Sequence, residues 1–258
     1  MPHSLSEADS MNESELNEVC WEERKVVRIN AAGRHRINDR IIREESLSLF
    51  INGVLANTFA CSPADLEALA VGWAFTQGYF RDKKDIESVS LDKESGAVFL
   101  TLQKNNGNIN SMISRELPTR EAPKDITLSH EDIYALWETF DAQCILYQST
   151  GAAHAMALTD GKQILTLTED VSRRNALIKI IGKMVLNGID TWGKALLVSS
   201  RLAFDMFRMI ESTGLKLVLC NGAVSSGAVI RAEEAGITLV GFIKRGNMNI
   251  YCHDERVS

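Results

Sequence analysis

The chain has 258 residues, enough for one large domain or two ordinary ones, and 45% of them are hydrophobic, so a sizeable core can form. A net charge of −6 speaks against a general nucleic-acid binder, which carries a basic excess. No apolar stretch approaches the ~20 residues a bilayer-spanning helix needs, so no membrane partner is expected.

Residues 1–23 read as a disordered tail. They are polar and acidic up to Glu18, with no apolar signal-peptide run, which makes a cytoplasmic location the expectation. Val26 to Ile29 alternates weakly and opens a sheet. Ser46–Ile51 and Val54–Phe59 flank Asn52-Gly53, the favoured two-residue hairpin turn. Ser62-Pro63-Ala64-Asp65 has the form of a helix start, with Ser62 as N-cap, Pro63 first in the helix and Asp65 facing the positive end of the macrodipole. The helix that follows puts Leu66, Leu69, Ala70 and Trp73 on one face and ends at Gly78. Ile86–Leu91 and Ala97–Leu102 are strands around a turn at Lys93–Gly96. Residues 24–103 are thus predicted to form an α+β domain with an antiparallel sheet and one long helix.

Residues 104–127, with Asn-Asn-Gly-Asn, Pro118 and Pro123, read as an interdomain loop. A second domain then runs over 128–258. Ser129 caps a helix, with Glu131 and Asp132 in its first turn. Ala153–Leu158 and Gln163–Leu167 are strands, and Asp170–Leu186 is a helix with Asp170 as its cap. Three apolar runs follow, Ala195–Val198, Leu217–Cys220 and Thr238–Phe242, separated by helices over Leu202–Thr213 and Ser226–Ala235. Short apolar strands alternating with helices predict a parallel sheet, hence an α/β domain. Ligands of such sheets bind beyond the carboxyl ends of the strands.

The segments expected at those ends carry the candidate chemistry. Ser149-Thr150-Gly151-Ala152-Ala153-His154 reads as a small-residue turn whose amides cradle an anion beside the His154 imidazole, or else as a plain turn with a hydrogen-bonded histidine. Glu169-Asp170-Val171-Ser172-Arg173-Arg174-Asn175 opens a helix with two cations near its positive end. They need a partner there, either a bound phosphate or Glu169 and Asp170. Ser199-Ser200-Arg201 and Asn221-Gly222-Ala223 are strand-to-helix turns suited to phosphate. Phe242-Ile243-Lys244-Arg245-Gly246-Asn247 offers cations for a diphosphate and Asn247 for a base edge, or is a solvated basic turn. Walker A, Gly-x-Ser-x-Gly and zinc-deaminase signatures are absent. The five cysteines, Cys20, Cys61, Cys144, Cys220 and Cys252, are scattered and read as free thiols. Cys61 precedes the proline-capped helix, where a thiolate gains support, but the inert reading is favoured.

Taken in order, Thr150-Gly-Ala-Ala-His154, Glu169-Asp-Val-Ser-Arg-Arg-Asn175, Val198-Ser-Ser-Arg201 with Phe204, Leu239-Val-Gly-Phe-Ile-Lys-Arg-Gly246 and Tyr251-Cys-His253 resemble the formate dehydrogenase accessory sulfurtransferase family, FdhD. In the first domain, Cys61-Ser-Pro63-Ala-Asp65 and Thr76-Gln77-Gly78 resemble its Thr-Pro-Gly-Asp and Thr-Glu-Gly segments. The resemblance implies a second domain like the cytidine deaminase fold without zinc, and a homodimer. It implies transfer of sulfur from a cysteine desulfurase onto the bis-guanine-dinucleotide molybdenum cofactor, which is then delivered to formate dehydrogenase. The segment Phe242–Asn247 matches the loop that holds the guanine nucleotide. Thr150, Gly151, His154, Arg173, Asn175 and Arg201 are the remaining residues assigned to the cofactor, and no resident metal is implied.

The chain departs from that pattern. The family's sulfur carrier is a Cys-x-x-Cys pair between the domains, and here Ser114-Arg-Glu-Leu-Pro-Thr-Arg-Glu121 holds no cysteine. Ser172 and Ser200 stand in place of glycines, Arg174 of a histidine and Ile178 of an aspartate. Three readings follow: a cofactor-binding accessory protein, a sulfurtransferase using another thiol such as Cys61, or a binding chaperone that has lost sulfur transfer.

Overall fold

A computed structural model describes residues 20–103, 125–244 and 246–258; the tail up to residue 19, most of the expected interdomain loop and Arg245 lie outside the described residues. In chain order the strands and helices are β1 Trp21–Asn30, β2 Gly33–Ile42, β3 Glu45–Ile51, β4 Val54–Cys61, α1 Leu66–Thr76, β5 Ile86–Asp92 and β6 Ala97–Leu102. There follow α2 His130–Gln143, α3 Ile145–Thr150, β7 His154–Thr159, β8 Ile164–Asp170, α4 Arg173–Leu186 and β9 Ala195–Val198. The chain closes with α5 Phe204–Glu211, β10 Leu217–Cys220, α6 Ser226–Ala235, β11 Thr238–Lys244 and β12 Asn247–Cys252.

The large sheet has the order β12-β11-β10-β9-β7-β8. Its centre is parallel as expected: Leu217 stands opposite both Ala195 and Thr238. β9 and β10 are buried along their whole length, as four-residue apolar strands covered on both faces must be. One face is covered by α4, α5 and α6, the other by α2, whose Ile133 and Phe140 pack on Ala157, Leu197 and Leu219. Ser129 caps α2 in a reciprocal capping box with Asp132.

The first half holds a separate two-stranded ribbon, β1–β2, and a four-stranded sheet of order β4-β3-β6-β5. That sheet is mixed, correcting the antiparallel expectation. The Asn52-Gly53 hairpin joins β3 to β4 as read, but β6 returns beside β3 in parallel register. Ser62 is not a cap either. Asp65 takes that place with a left-handed backbone, φ 53°, and makes no capping bond. Ser62 is drawn away by long-range partners: its N–H donates to Asp170 and its hydroxyl accepts from Val171 N–H.

One continuous apolar core joins both halves, from Leu49 and Leu100 through Leu69 and Ile181 to Leu196 and Phe207. At its centre α1 crosses α4 at backbone contact. A Cβ on Gly72 would lie 1.9 Å from the Ile178 carbonyl oxygen, and one on Gly182 would lie 1.8 Å from that of Ala68. Beside the crossing, the fully buried Lys179 ammonium pairs with Asp170 at 2.6 Å and donates to the Ser62 carbonyl at 3.0 Å. Asp170 also accepts from Ser62 N–H, Ser172 N–H and the Asn175 amide. Every polar atom of this joint has its partner inside it, as a buried charge requires.

Candidate functional site

The topology brings the predicted segments to one end of the large sheet. β9, β10 and β11 are parallel and end there. β7 is antiparallel to β9, with Met156 opposite Val198, so His154 sits just past the end of β9. Asp170, the last residue of β8, pairs with His154.

His154, Arg173 and Arg201 form the electropositive part of this edge. The half-buried imidazole is held below its ordinary pKa, first by burial and then by the charges of Arg173 and Arg201, against the pull of Asp170. It is therefore a neutral group at pH 7, able to accept or donate one hydrogen bond. Ser172, not Asp170, caps α4 by accepting from Asn175 N–H. Of the two partners open to the arginines, a phosphate or Glu169 and Asp170, the acids are engaged elsewhere. The Glu169 carboxylate accepts from Leu146 and Tyr147 N–H at the start of α3, and Asp170 is taken by Lys179. Arg174 reaches Asp205 on α5 at 3.4 Å instead.

Thr150 and Gly151 are not an amide cradle. They close α3, a helix absent from the sequence reading, with Gly151 left-handed at φ 68°. Gly151 N–H donates to the Tyr147 carbonyl and Ala152 N–H to the Thr150 hydroxyl, so both amides are committed. The Asn175 side chain is likewise engaged, donating to the Ala60 carbonyl at 2.8 Å.

The turns after β9 and β10 are woven together. Ser199 Oγ accepts from Ala155 N–H at 2.7 Å, and Leu202 N–H donates to the Ala223 carbonyl. Gly222 runs so close to its neighbour that a Cβ would meet Arg201 N at 2.7 Å. Phe242 N–H donates to the Gly222 carbonyl from a left-handed backbone, φ 54°. That conformation is costly for a bulky residue and concentrates at functional positions. Phe242 stays 39% exposed, while Ile243 is buried.

Lys244 lies further along the same edge. With Asn221, Ile243 and the α2 residues Tyr134, Trp137 and Asp141 it lines a cavity of about 320 Å³. Asn247 stands opposite Lys244 across the β11–β12 pair. The edge thus carries two groups, His154–Arg173–Arg201 and Phe242–Lys244–Asn247, with Gly222 between them. The contribution of α2 was not visible in the sequence, since apolar spacing marks its buried face and not what its margin faces.

None of the five thiols is favoured as a thiolate by its surroundings. Cys20, Cys61, Cys144 and Cys220 are buried and free. Burial pushes Cys20 up to about 11 and Cys61 up to about 12, with Lys179 opposing, and pushes Cys220 to about 12. Cys144 and the half-buried Cys252 are also raised by burial. Among the described residues no group of three or more His, Cys, Asp or Glu could hold a metal.

The sequence model of the FdhD/NarQ family matches residues 42–258. The chain belongs to the FdhD/NarQ family. Its FdhD relatives include the sulfur carrier protein FdhD of Halalkalibacterium halodurans, 28% identical over 91% of this chain and 94% of the relative. That of Bacillus subtilis is 27% identical over 94% and 99%, and that of Wolinella succinogenes 30% identical over 90% and 89%. In fold, the chain is similar to a Desulfotalea psychrophila crystal structure described as a formate dehydrogenase accessory protein. The TM-score is 0.80 at 22% identity, covering 93% of this chain and 100% of that one. Measured against FdhD relatives named as sulfur carriers, this chain has no Cys-x-x-Cys anywhere in its 258 residues.

Proposed function

We propose that this chain is an accessory protein of formate dehydrogenase that binds the bis-guanine-dinucleotide molybdenum cofactor along the carboxyl edge of its large sheet and delivers it, without carrying sulfur on a thiol of its own. The observation that carries the binding half is the gathering of Arg173, Arg201 and a neutral His154 beside the Gly222 turn, where backbone as well as cations can meet a diphosphate. Phe242, exposed and strained, supplies a ring face for a base, and Lys244 a further cation. The reading takes the second half as a cytidine-deaminase-like frame without zinc, and the working unit as a homodimer in the cytoplasm.

Sulfur relay is set apart by chemistry. A persulfide carrier must attack as thiolate and then present its outer sulfur to an acceptor. Burial keeps the described thiols protonated near pH 7 and closes off four of the five. A cysteine desulfurase is therefore not a sulfur donor to this chain in the proposal.

Calorimetric titration with GDP tests the binding half. The wild type binds, and Arg201→Ala and Lys244→Ala each weaken binding about tenfold, the scale of losing one charge-assisted contact. Unchanged affinity in both variants would remove the edge as the cofactor site.

A further inference from the structure

The ribbon β1–β2 stands apart from both sheets. Beyond Trp21 none of its residues is buried, and ten residues a strand make it roughly 30 Å long. Its base is fixed. Cys20 and Trp21 pack with Ala64, Leu146 and Ala153, Arg43 N–H donates to the Cys20 carbonyl, and Arg40 lies over the Trp21 ring. Ala153 immediately precedes His154, so the ribbon is rooted beside the electropositive edge.

Its outer part is chemically unlike the rest of the chain. Residues 24–38 carry Arg24, Lys25, Arg28, Arg34 and Arg36 and no carboxylate, in a protein of net charge −6. Arg24 and Arg28 are paired with Glu22 and Asp39 nearer the base; Lys25, Arg34 and Arg36 have no ion pair among the described residues. The register places Val27 opposite Arg36 and Ile29 opposite Arg34, all four on one face. Val27 is 44% and Ile29 74% exposed. An isolated two-stranded ribbon is at best marginal in water, so a long one with bare aliphatic residues gains by being covered.

We propose that this ribbon is a docking arm for a carboxylate-rimmed protein surface on the acceptor enzyme, with Val27 and Ile29 as its apolar centre and Lys25, Arg34 and Arg36 as its charged contacts. Arginine is enriched at protein interfaces, and an apolar centre with a charged rim is their usual layout. A single-stranded nucleic acid would need aromatic platforms, and residues 24–38 hold no Phe, Tyr or Trp. Two aliphatic side chains are too few to hold a membrane surface. The free backbone edges of both strands can also pair with an edge strand of the partner. That the acceptor is formate dehydrogenase rests on the function proposed above.

The test is binding of the full chain to immobilised formate dehydrogenase lacking its cofactor, at 50 and 300 mM salt, beside the double variants Arg34→Glu/Arg36→Glu and Val27→Ser/Ile29→Ser. The expected result is a wild-type affinity that falls at least tenfold at the higher salt. Both variants weaken it at least tenfold at 50 mM, with wild-type melting temperatures and wild-type GDP titrations. Three results would overturn the assignment: variants that bind the enzyme like the wild type, no binding by the wild type, or equal wild-type affinity for duplex DNA or phosphatidylglycerol vesicles. An oligomer that dissociates in both variants would do so too, since the arm would then hold a second copy. Enzyme binding that depends on the arm while GDP fails to bind would remove the cofactor site and leave the arm standing.

Discussion

Lys179→Met removes the ammonium that ties the first half of the chain to the second. Its partner Asp170 is fully buried, 2.6 Å away, and would be left charged in the core. Breaking a buried pair from one side costs about 3–5 kcal/mol. Asp170 keeps three donors, Ser62 N–H, Ser172 N–H and the Asn175 amide, which argues for the low end, about 3 kcal/mol. With a urea slope near 3 kcal/mol per molar, the unfolding midpoint drops by about 1 M. Adding Lys179→Met to Asp170→Asn, where no charge is stranded, costs about half as much or less, so the cycle shows coupling of at least ~1 kcal/mol. A single variant that loses under ~1 kcal/mol, or a pair whose losses simply add, would refute the view that this joint holds the halves together.

Gly182→Ala sets ~1 kcal/mol of gained helix propensity against a Cβ placed 1.8 Å from the Ala68 carbonyl oxygen. Backbone cannot yield as a side-chain tip can, so the variant melts lower by several degrees; a higher melting temperature would show that the crossing has slack. The depressed His154 means that the unfolded chain takes up its proton first as pH falls below about 6.5. Stability contributed at this position is therefore present above that pH and lost on acidification toward the folded value. His154→Gln flattens the urea-midpoint profile between pH 7.5 and 5.5, and parallel profiles would remove the shift. Native protein incubated with a cysteine desulfurase and labelled cysteine, then alkylated, carries no persulfide on Cys20, Cys61, Cys144, Cys220 or Cys252. Label on any of them in folded protein would restore sulfur transfer to this chain.

The parallel centre of the large sheet was legible because Ala195–Val198, Leu217–Cys220 and Thr238–Phe242 are apolar runs too short for helices, and Asn52-Gly53 and Ser129 fix their elements by local chemistry alone. Local chemistry also misled. Ser62-Pro63-Ala64-Asp65 looks like a helix cap, but its hydrogen-bonding groups are claimed by residues more than a hundred positions away. The ribbon was seen only at Val26–Ile29, because strands with no buried face carry no alternation to read. Ile145–Thr150 is a helix too short to show a period, and its start is held by Glu169 from another strand. At the site, Arg173, Arg201 and Lys244 could be named from the loops that carry them. The commitment of Asn175 and of the Gly151 amide to internal partners could not, since their partners lie elsewhere in the fold or depend on a helix the pattern did not reveal.

The glycine-to-carbonyl crossing of α1 and α4 lies inside an apolar core that both halves share, so swinging them apart like jaws would expose that core to water. A cargo seated on the sheet edge would have to leave by rearrangement of the turns around it, or be drawn off by whatever the protein meets, with the scaffold beneath standing still.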